Sequence, residues 1–236
     1  MDDFFRFATM KGGGHRLELT GPIVTSRPWF SDEKEQYACS AEFDAQLKAV
    51  DGEKLTVVID SSGGDVAAGI AMYEALRTRK GETHCHIVRA YSAATLPLCA
   101  VPRQNRTISP VGTLLIHDPA TSASGTADDL DKSVRFLRAI KTAVLAAYRE
   151  GTGKSEAELS AMMTRETTMS AQEAVANGFA GCVAKAEESA QMCSELMRAY
   201  MAASQEQTLR MAQAAAEAQE RDKERQAYLH FFESIK

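Results

Sequence analysis

Leu55-Thr56-Val57-Val58-Ile59-Asp60-Ser61-Ser62-Gly63-Gly64-Asp65-Val66 is the stretch from which the fold of this chain is read. Leu55 to Ile59 form a short apolar, β-branched run, and such a run bounded by turn residues reads as a buried strand. Ser61-Ser62-Gly63-Gly64 is a tight turn, because a glycine pair admits backbone conformations closed to other residues. Beyond it Val66, Ile70, Tyr73 and Leu76 put an apolar stripe on one helix face. A second β-rich run follows over 84–88. Strand, glycine turn, helix and strand within about 35 residues make a βαβ unit, which crosses over right-handed and is buried on both faces. The fold class is therefore α/β.

Reading outward from this unit, apolar residues at helical spacing predict a helix over 41–50, stopped by Asp51-Gly52. A strand is expected over 16–20, preceded by a flexible arm over residues 1–15 that contains Gly12-Gly13-Gly14. On the other side, 113–116 reads as a short strand and 120–125 as a loop of small residues. Thr126 with Asp129 resembles a capping pair, and Leu130, Val134, Leu137, Ile140, Val144 and Tyr148 keep helical spacing until Gly151 ends the element. Ser155 with Glu158 and Ser170 with Glu173 are two further capping boxes, each starting a shorter helix, and a last strand is expected near 181–184. From 186 to 236 neither Gly nor Pro occurs, and an Ala/Glu/Gln-rich composition predicts a helical extension with Leu229, Phe231 and Phe232 as a docking knob.

The 236 residues are 44% hydrophobic and 25% charged, which is ordinary for a globular protein and excludes wholesale disorder. A net charge of -5 gives no basic footprint, so nucleic acid is not an expected partner. No apolar run approaches the roughly 18 residues of a spanning helix. The start, Met1-Asp2-Asp3-Phe4-Phe5-Arg6, is acidic where a secretory signal is basic, so a cytoplasmic protein without a membrane partner is expected. Five scattered cysteines with no C-x-x-C pair read as buried free thiols.

Several residues can carry chemistry. Ser92, in Tyr91-Ser92-Ala93-Ala94, stands just after a strand where a helix with free amides begins; such a serine is either an N-cap or a nucleophile. His117 ends the strand that includes Ile116 and puts an imidazole at the rim of a loop. Amides near Gly64, at a strand-to-helix turn, can point at a developing oxyanion, although an ordinary βα turn has the same pattern. Glu166 lies in a polar stretch, where it is either a solvated carboxylate or the partner of an imidazole. Gly151-Thr152-Gly153-Lys154-Ser155 lacks the leading glycine and the preceding strand of a phosphate loop. His84-Cys85-His86 alternates on a strand, leaving only two histidines on one face, too few for a metal site.

Taken together, these segments resemble the Clp protease proteolytic subunit family (ClpP) and, more closely, its relatives among the prohead or head-maturation proteases of tailed phages. Ile59 to Gly69 is similar to the family's I-N-S-P-G-G-x-V-x-A-G turn. Ser92-Ala93-Ala94-Thr95 is similar to the phage branch's S-A-A-S, Leu115 to Pro119 to M-I-H-x-P, and Glu166 to Val175 to D-x-x-x-S-A-x-E-A-V. The resemblance covers roughly 16–185. It implies a ClpP/crotonase-like fold of repeated β-β-α units with a long handle helix, and a serine endopeptidase. Ser92 would be the nucleophile, His117 the base and Glu166 the acid, with the Gly64 and Ala93 amides as oxyanion hole; Asp118 remains the alternative acid.

Chain order supports this reading, because Ser, then His, then acid matches none of the orders of chymotrypsin-like, subtilisin-like or α/β-hydrolase enzymes. The resemblance further implies a ring-forming homo-oligomer that needs no metal or cofactor. Substrates would be capsid and scaffold proteins inside a procapsid, or, in the housekeeping version, proteins fed by an AAA+ unfoldase. An inactive assembly protein on the same fold is the third possibility. Departures are also visible: Tyr91 replaces a small residue and is expected to narrow the substrate groove, Pro97 predicts a short or kinked helix after the nucleophile, and Glu166 is one methylene longer than Asp.

Overall fold

A computed structural model of the chain describes residues 7–9, 13–27 and 37–185. The chain divides into two units, Met1–Lys185 and Ala186–Lys236. The helix and docking knob expected over 186–236 lie outside the described residues.

Strand β1 (Phe7–Thr9) pairs antiparallel with β2 (His15–Thr20), so part of the arm expected over 1–15 is strand. The run of three glycines hides this by its lack of periodicity. β3 (Ile23–Val24) and β4 (Ala38–Cys39) form a small parallel pair leading into α1 (Ser40–Ala49). The βαβ unit follows as β5 (Leu55–Ser61), α2 (Val66–Thr78) and β6 (Thr83–Tyr91). A 3₁₀ turn, Ser92–Ala94, leads to α3 (Thr95–Ala100), short as expected; Pro97 stands in its first turn, and the extended Val101 before Pro102 ends it. Then come β7 (Arg106–Ile116), α4 (Ala127–Thr152), α5 (Glu156–Thr164), β8 (Thr167–Ser170), α6 (Ala171–Ala176) and β9 (Cys182–Val183).

The sheet runs in the order β1-β2-β5-β6-β7-β8, with β9 also on β7. Its centre, β2 to β7, is parallel, and the expected α/β class is the one observed. Leu55, Val57 and Ile59 enter the main core, while Val58, on the opposite pleat face, is equally buried, as a strand covered on both faces requires. Among the described residues no helix is long and apolar enough to cross a membrane.

The main surprise in the sheet is β7, expected only over 113–116. It begins at Arg106, and Ser109-Pro110 conceals the first half because that pair reads as a break. Ile108 pairs with Ile87 and Thr113 with Arg89, so β7 bulges between them, and Pro110 sits where the ladder asks for no donor. β6 is also one residue longer than its partner β5 between Ile87 and Arg89. That bulge changes the parity of the strand: Cys85 and Ile87 face the core before it, and Ala90 after it.

All three expected capping boxes are present. The Thr126 hydroxyl, then Lys132, holds Asp129 below its ordinary carboxylate range; the Ser155 hydroxyl does the same for Glu158, and the Ser170 amide followed by its hydroxyl for Glu173. Gly151 does not end α4. The cap is Gly153, in the left-handed region at φ 75°, while Gly151 lies inside the helix, where a Cβ would stand 2.7 Å from Cys99 Cβ. A helix-stop reading there mistakes a close approach of α3 and α4 for a terminus. Cys39, Cys85 and Cys99 are buried as expected, and burial pushes the Cys85 thiol up to about 12 and the Cys99 thiol up to about 11, whereas Cys182 is exposed.

Arg106, only 2% exposed, is held by backbone oxygens alone among its described hydrogen bonds. Its guanidinium donates to Val101 O at 2.6 Å, Cys99 O at 3.2 Å, Phe179 O at 3.3 Å and Gly178 O at 3.4 Å, joining the end of α3 to the loop after α6. Truncation would strand several buried acceptors at once. Arg106→Ala should therefore lose at least about 3 kcal/mol of stability in urea unfolding, and a loss below about 1 kcal/mol would show that the four carbonyls find other donors.

Candidate active site

Two parallel strands deliver Ser92 and His117 to one edge of the sheet. β6 ends at Tyr91 and β7 at Ile116, and their register pairs Tyr91 with Leu115, so the residues that follow each strand emerge side by side. Ser92 Oγ and His117 Nε2 are 2.7 Å apart, a full hydrogen bond. Ser92 has φ 54° and Glu166 has φ 52°, and among the described residues they alone, apart from glycines, lie in the left-handed region. Such backbone costs on the order of 1 kcal/mol or more, and it survives where the surroundings over-determine it.

The glycine turn after β5 is built against this serine. A Cβ on Gly63, whose φ is +88°, would stand 2.5 Å from Tyr91 O, 2.8 Å from Ser92 Cβ and 3.0 Å from Ala93 N. Ser61 Oγ donates to Gly21 O at 2.6 Å and accepts from Gly63 N at 3.1 Å, while Ile23 N donates to Gly63 O and Asp65 N to Ile23 O, both at 2.9 Å. Asp65 caps α2 by accepting from the Ala67 and Ala68 amides. Partial burial acts to raise its carboxyl, but the Thr25 hydroxyl at 2.6 Å and those two amides outweigh it and hold it below the ordinary range.

Gly64, Ala93, Ser92 and His117 line one cleft of about 310 Å³, walled by Leu96 on α3 and Ile140 on α4. The two residues expected to supply oxyanion amides thus border the same space as the Ser92–His117 pair. Tyr91 does not narrow this cleft: its ring is turned to β7, where its hydroxyl meets Thr113 Oγ1 at 2.8 Å.

Glu166 is not joined to this pair: the β7–β8 ladder ends where Ile116 pairs antiparallel with Thr167, and Glu166, one residue before β8, neither lines the cleft nor makes a described hydrogen bond to His117. Glu166 is exposed at the turn between α5 and β8. Asp118, the alternative acid, is engaged elsewhere: Lys141 Nζ lies 2.8 Å from its carboxylate and Thr164 Oγ1 donates to it at 3.0 Å. His84 and His86, set aside as metal ligands, meet Glu82 at 2.6 Å and Thr107 at 2.9 Å.

Two residues in contact with this site escape sequence reasoning. Thr95 Oγ1 donates to Ser92 O at 2.5 Å and also meets the Tyr148 hydroxyl. Tyr148 falls on the apolar stripe of α4 and reads as core; the spacing of Thr95 three residues after Ser92, typical of a hydroxyl bonding back within a helical turn, was the available signal.

A family model for Clp protease matches residues 30–187. The ATP-dependent Clp protease proteolytic subunit 1 of Chlamydia trachomatis serovar D is 31% identical over 132 residues, 54% of this chain and 68% of that protein. The protein of the same name from Chlamydia muridarum is 30% identical over 175 residues, 70% of this chain and 91% of its own length.

The contact at Gly63 makes a direct test possible. Gly63→Ala puts a methyl where Tyr91 O and Ser92 Cβ already stand, on a backbone unsuited to it. The rate at which a fluorophosphonate labels Ser92 should fall by about 10²-fold, as for a comparable misplacement of reacting groups, while wild-type labelling in this variant would show that the turn yields freely.

Proposed function

Because the chain belongs to the Clp protease family, a family of peptidases, we propose that it is a serine endopeptidase with Ser92 as nucleophile, His117 as general base and Glu166 as the acid. The observation that carries this reading is the 2.7 Å bond between Ser92 Oγ and His117 Nε2 on a serine held in left-handed backbone. A hydroxyl alone is a weak nucleophile; one that donates to an imidazole loses its proton as it attacks.

In the proposed cycle the Ser92 hydroxyl donates to Nε2, so Nδ1 carries the ring proton. Oγ attacks the scissile carbonyl, its proton passes to Nε2, and the Gly64 and Ala93 amides receive the oxyanion. Collapse breaks the C–N bond as His117 gives that proton to the leaving amine. Water, deprotonated by His117, then hydrolyses the ester and regenerates Ser92. Glu166 would fix the imidazole tautomer and stabilise the imidazolium once its exposed side chain, one methylene longer than Asp, turns from the start of β8 to His117. Asp118 is the weaker candidate, since Lys141 and Thr164 occupy it.

Two versions of the biological role follow from different observations. Ser92-Ala93-Ala94-Thr95 and the composition of 186–236 favour a head-maturation protease that cuts capsid and scaffold proteins in a procapsid. The relatives named as ATP-dependent Clp protease subunits favour a housekeeping proteolytic chamber fed by an AAA+ unfoldase. Both versions include ring assembly, and exposed Leu130, Val134 and Phe136 on α4 supply apolar surface for it. An inactive assembly protein is the reading left if the serine proves inert.

Fluorophosphonate labelling located by mass spectrometry tests the chemistry. Label should map to Ser92 and vanish in Ser92→Ala, and Ser92→Ala or His117→Ala should lower peptide hydrolysis by about 10⁶-fold. Glu166→Ala should cost about 10²- to 10⁴-fold in kcat and Asp118→Ala less than about tenfold; the reverse ranking would transfer the acid role to Asp118. No labelling in any assembled form would overturn the peptidase assignment. Cleavage of co-expressed capsid protein supports head maturation, and ATP-dependent stimulation by an unfoldase supports the housekeeping version.

A further inference from the structure

Left-handed backbone at a non-glycine residue needs something to hold it, and one side of Ser92 is held by Gly63. The other side has a hydrogen-bonded chain. The Ser92 carbonyl accepts from Thr95 Oγ1, and Thr95 Oγ1 in turn contacts the Tyr148 hydroxyl. A threonine hydroxyl has one proton; it is committed to Ser92 O, so Tyr148 must be the donor to Thr95. The chain therefore runs in one direction, from Tyr148 through Thr95 to the Ser92 peptide.

Both hydroxyls are sealed from water, Thr95 at 0% and Tyr148 at 2% exposure. A buried hydroxyl without its partner is costly, so the geometry is enforced rather than optional. The Tyr148 ring is itself fixed, standing edge-on to Phe179 with centroids 5.4 Å apart at 78°. We propose that Thr95 and Tyr148 are positioning residues that clamp the Ser92 peptide in its left-handed conformation and so aim Oγ at His117. This proposal rests on the serine-peptidase reading for its catalytic consequence, although the clamp itself is a structural claim.

A purely structural role and a positioning role separate in a double variant. Thr95→Val leaves the Tyr148 hydroxyl without an acceptor, so both stability and Ser92 geometry suffer. Combining it with Tyr148→Phe removes the orphaned hydroxyl and restores most of the stability, while Ser92 still lacks its clamp. In the full chain, fluorophosphonate labelling and kcat should fall about tenfold or more in Thr95→Val and stay low in the double variant, with KM changed less than about twofold. Thr95→Ser, which keeps the hydroxyl, should remain near wild type.

Amide hydrogen exchange of the peptide spanning Ser92 to Cys99 should quicken in Thr95→Val and in the double variant. Labelling that recovers along with melting temperature in the double variant, or wild-type labelling in Thr95→Val, would overturn the clamp. If the wild type itself fails to label at Ser92, the peptidase reading falls, and hydrogen exchange alone then decides the clamp: unchanged exchange in that segment refutes it.

Discussion

The turn after β5 and the turn after β6 touch so closely that a single methyl on Gly63 would collide with the Tyr91 carbonyl and Ser92. Parallel pairing of the two strands makes this contact unavoidable, because it brings their C-terminal ends to the same edge of the sheet. Much of the site follows from that crowding. The glycine pair is needed for the approach, Ser61 and Ile23 pin the turn from behind, and Ser92 is pushed into a conformation that other serines avoid. β7 completes the pair by ending one strand over, with His117 at its tip.

The cleft is made by helices that are kept short or brought close. Val101-Pro102 ends α3 after six residues, and Gly151 lets α4 press against Cys99 at its end. Arg106 ties that end to the loop after α6. The wall that faces Ser92 thus combines Leu96 from α3 with Ile140 from α4, and Tyr148 lies on the same helix close enough to reach Thr95. The Ser92 hydroxyl, set among small residues, gains its orientation from such neighbours, since a serine side chain has little bulk of its own to pack.

Much of this was legible in the sequence where one residue type does one thing. The apolar, β-branched run at 55–59, the three capping boxes and the glycine turn each have a local physical cause, and each appears where expected. Ser92 and His117 could be paired only through the family resemblance, because nothing local to either residue reports a partner 25 positions away. The misreadings have a shared origin. Pro110 inside β7, Gly151 inside α4 and strand β1 beside three glycines are all positions where tertiary contact overrides a local breaker signal. Tyr148 was legible as apolar but not as a donor, since its hydroxyl matters only once Thr95 is brought opposite.

The Arg106 hub has one more consequence. Its four acceptors are peptide oxygens, which take up no proton in the range where carboxylates titrate, so the joint between α3 and the loop after α6 is blind to acid. The caps of α4, α5 and α6 are not, for they rest on carboxylates whose folded pKa values are depressed. Their contribution is complete above the ordinary carboxylate range and disappears as pH falls through the lowered values. Acid should therefore loosen the starts of these three helices while the Arg106 joint keeps its hydrogen bonds.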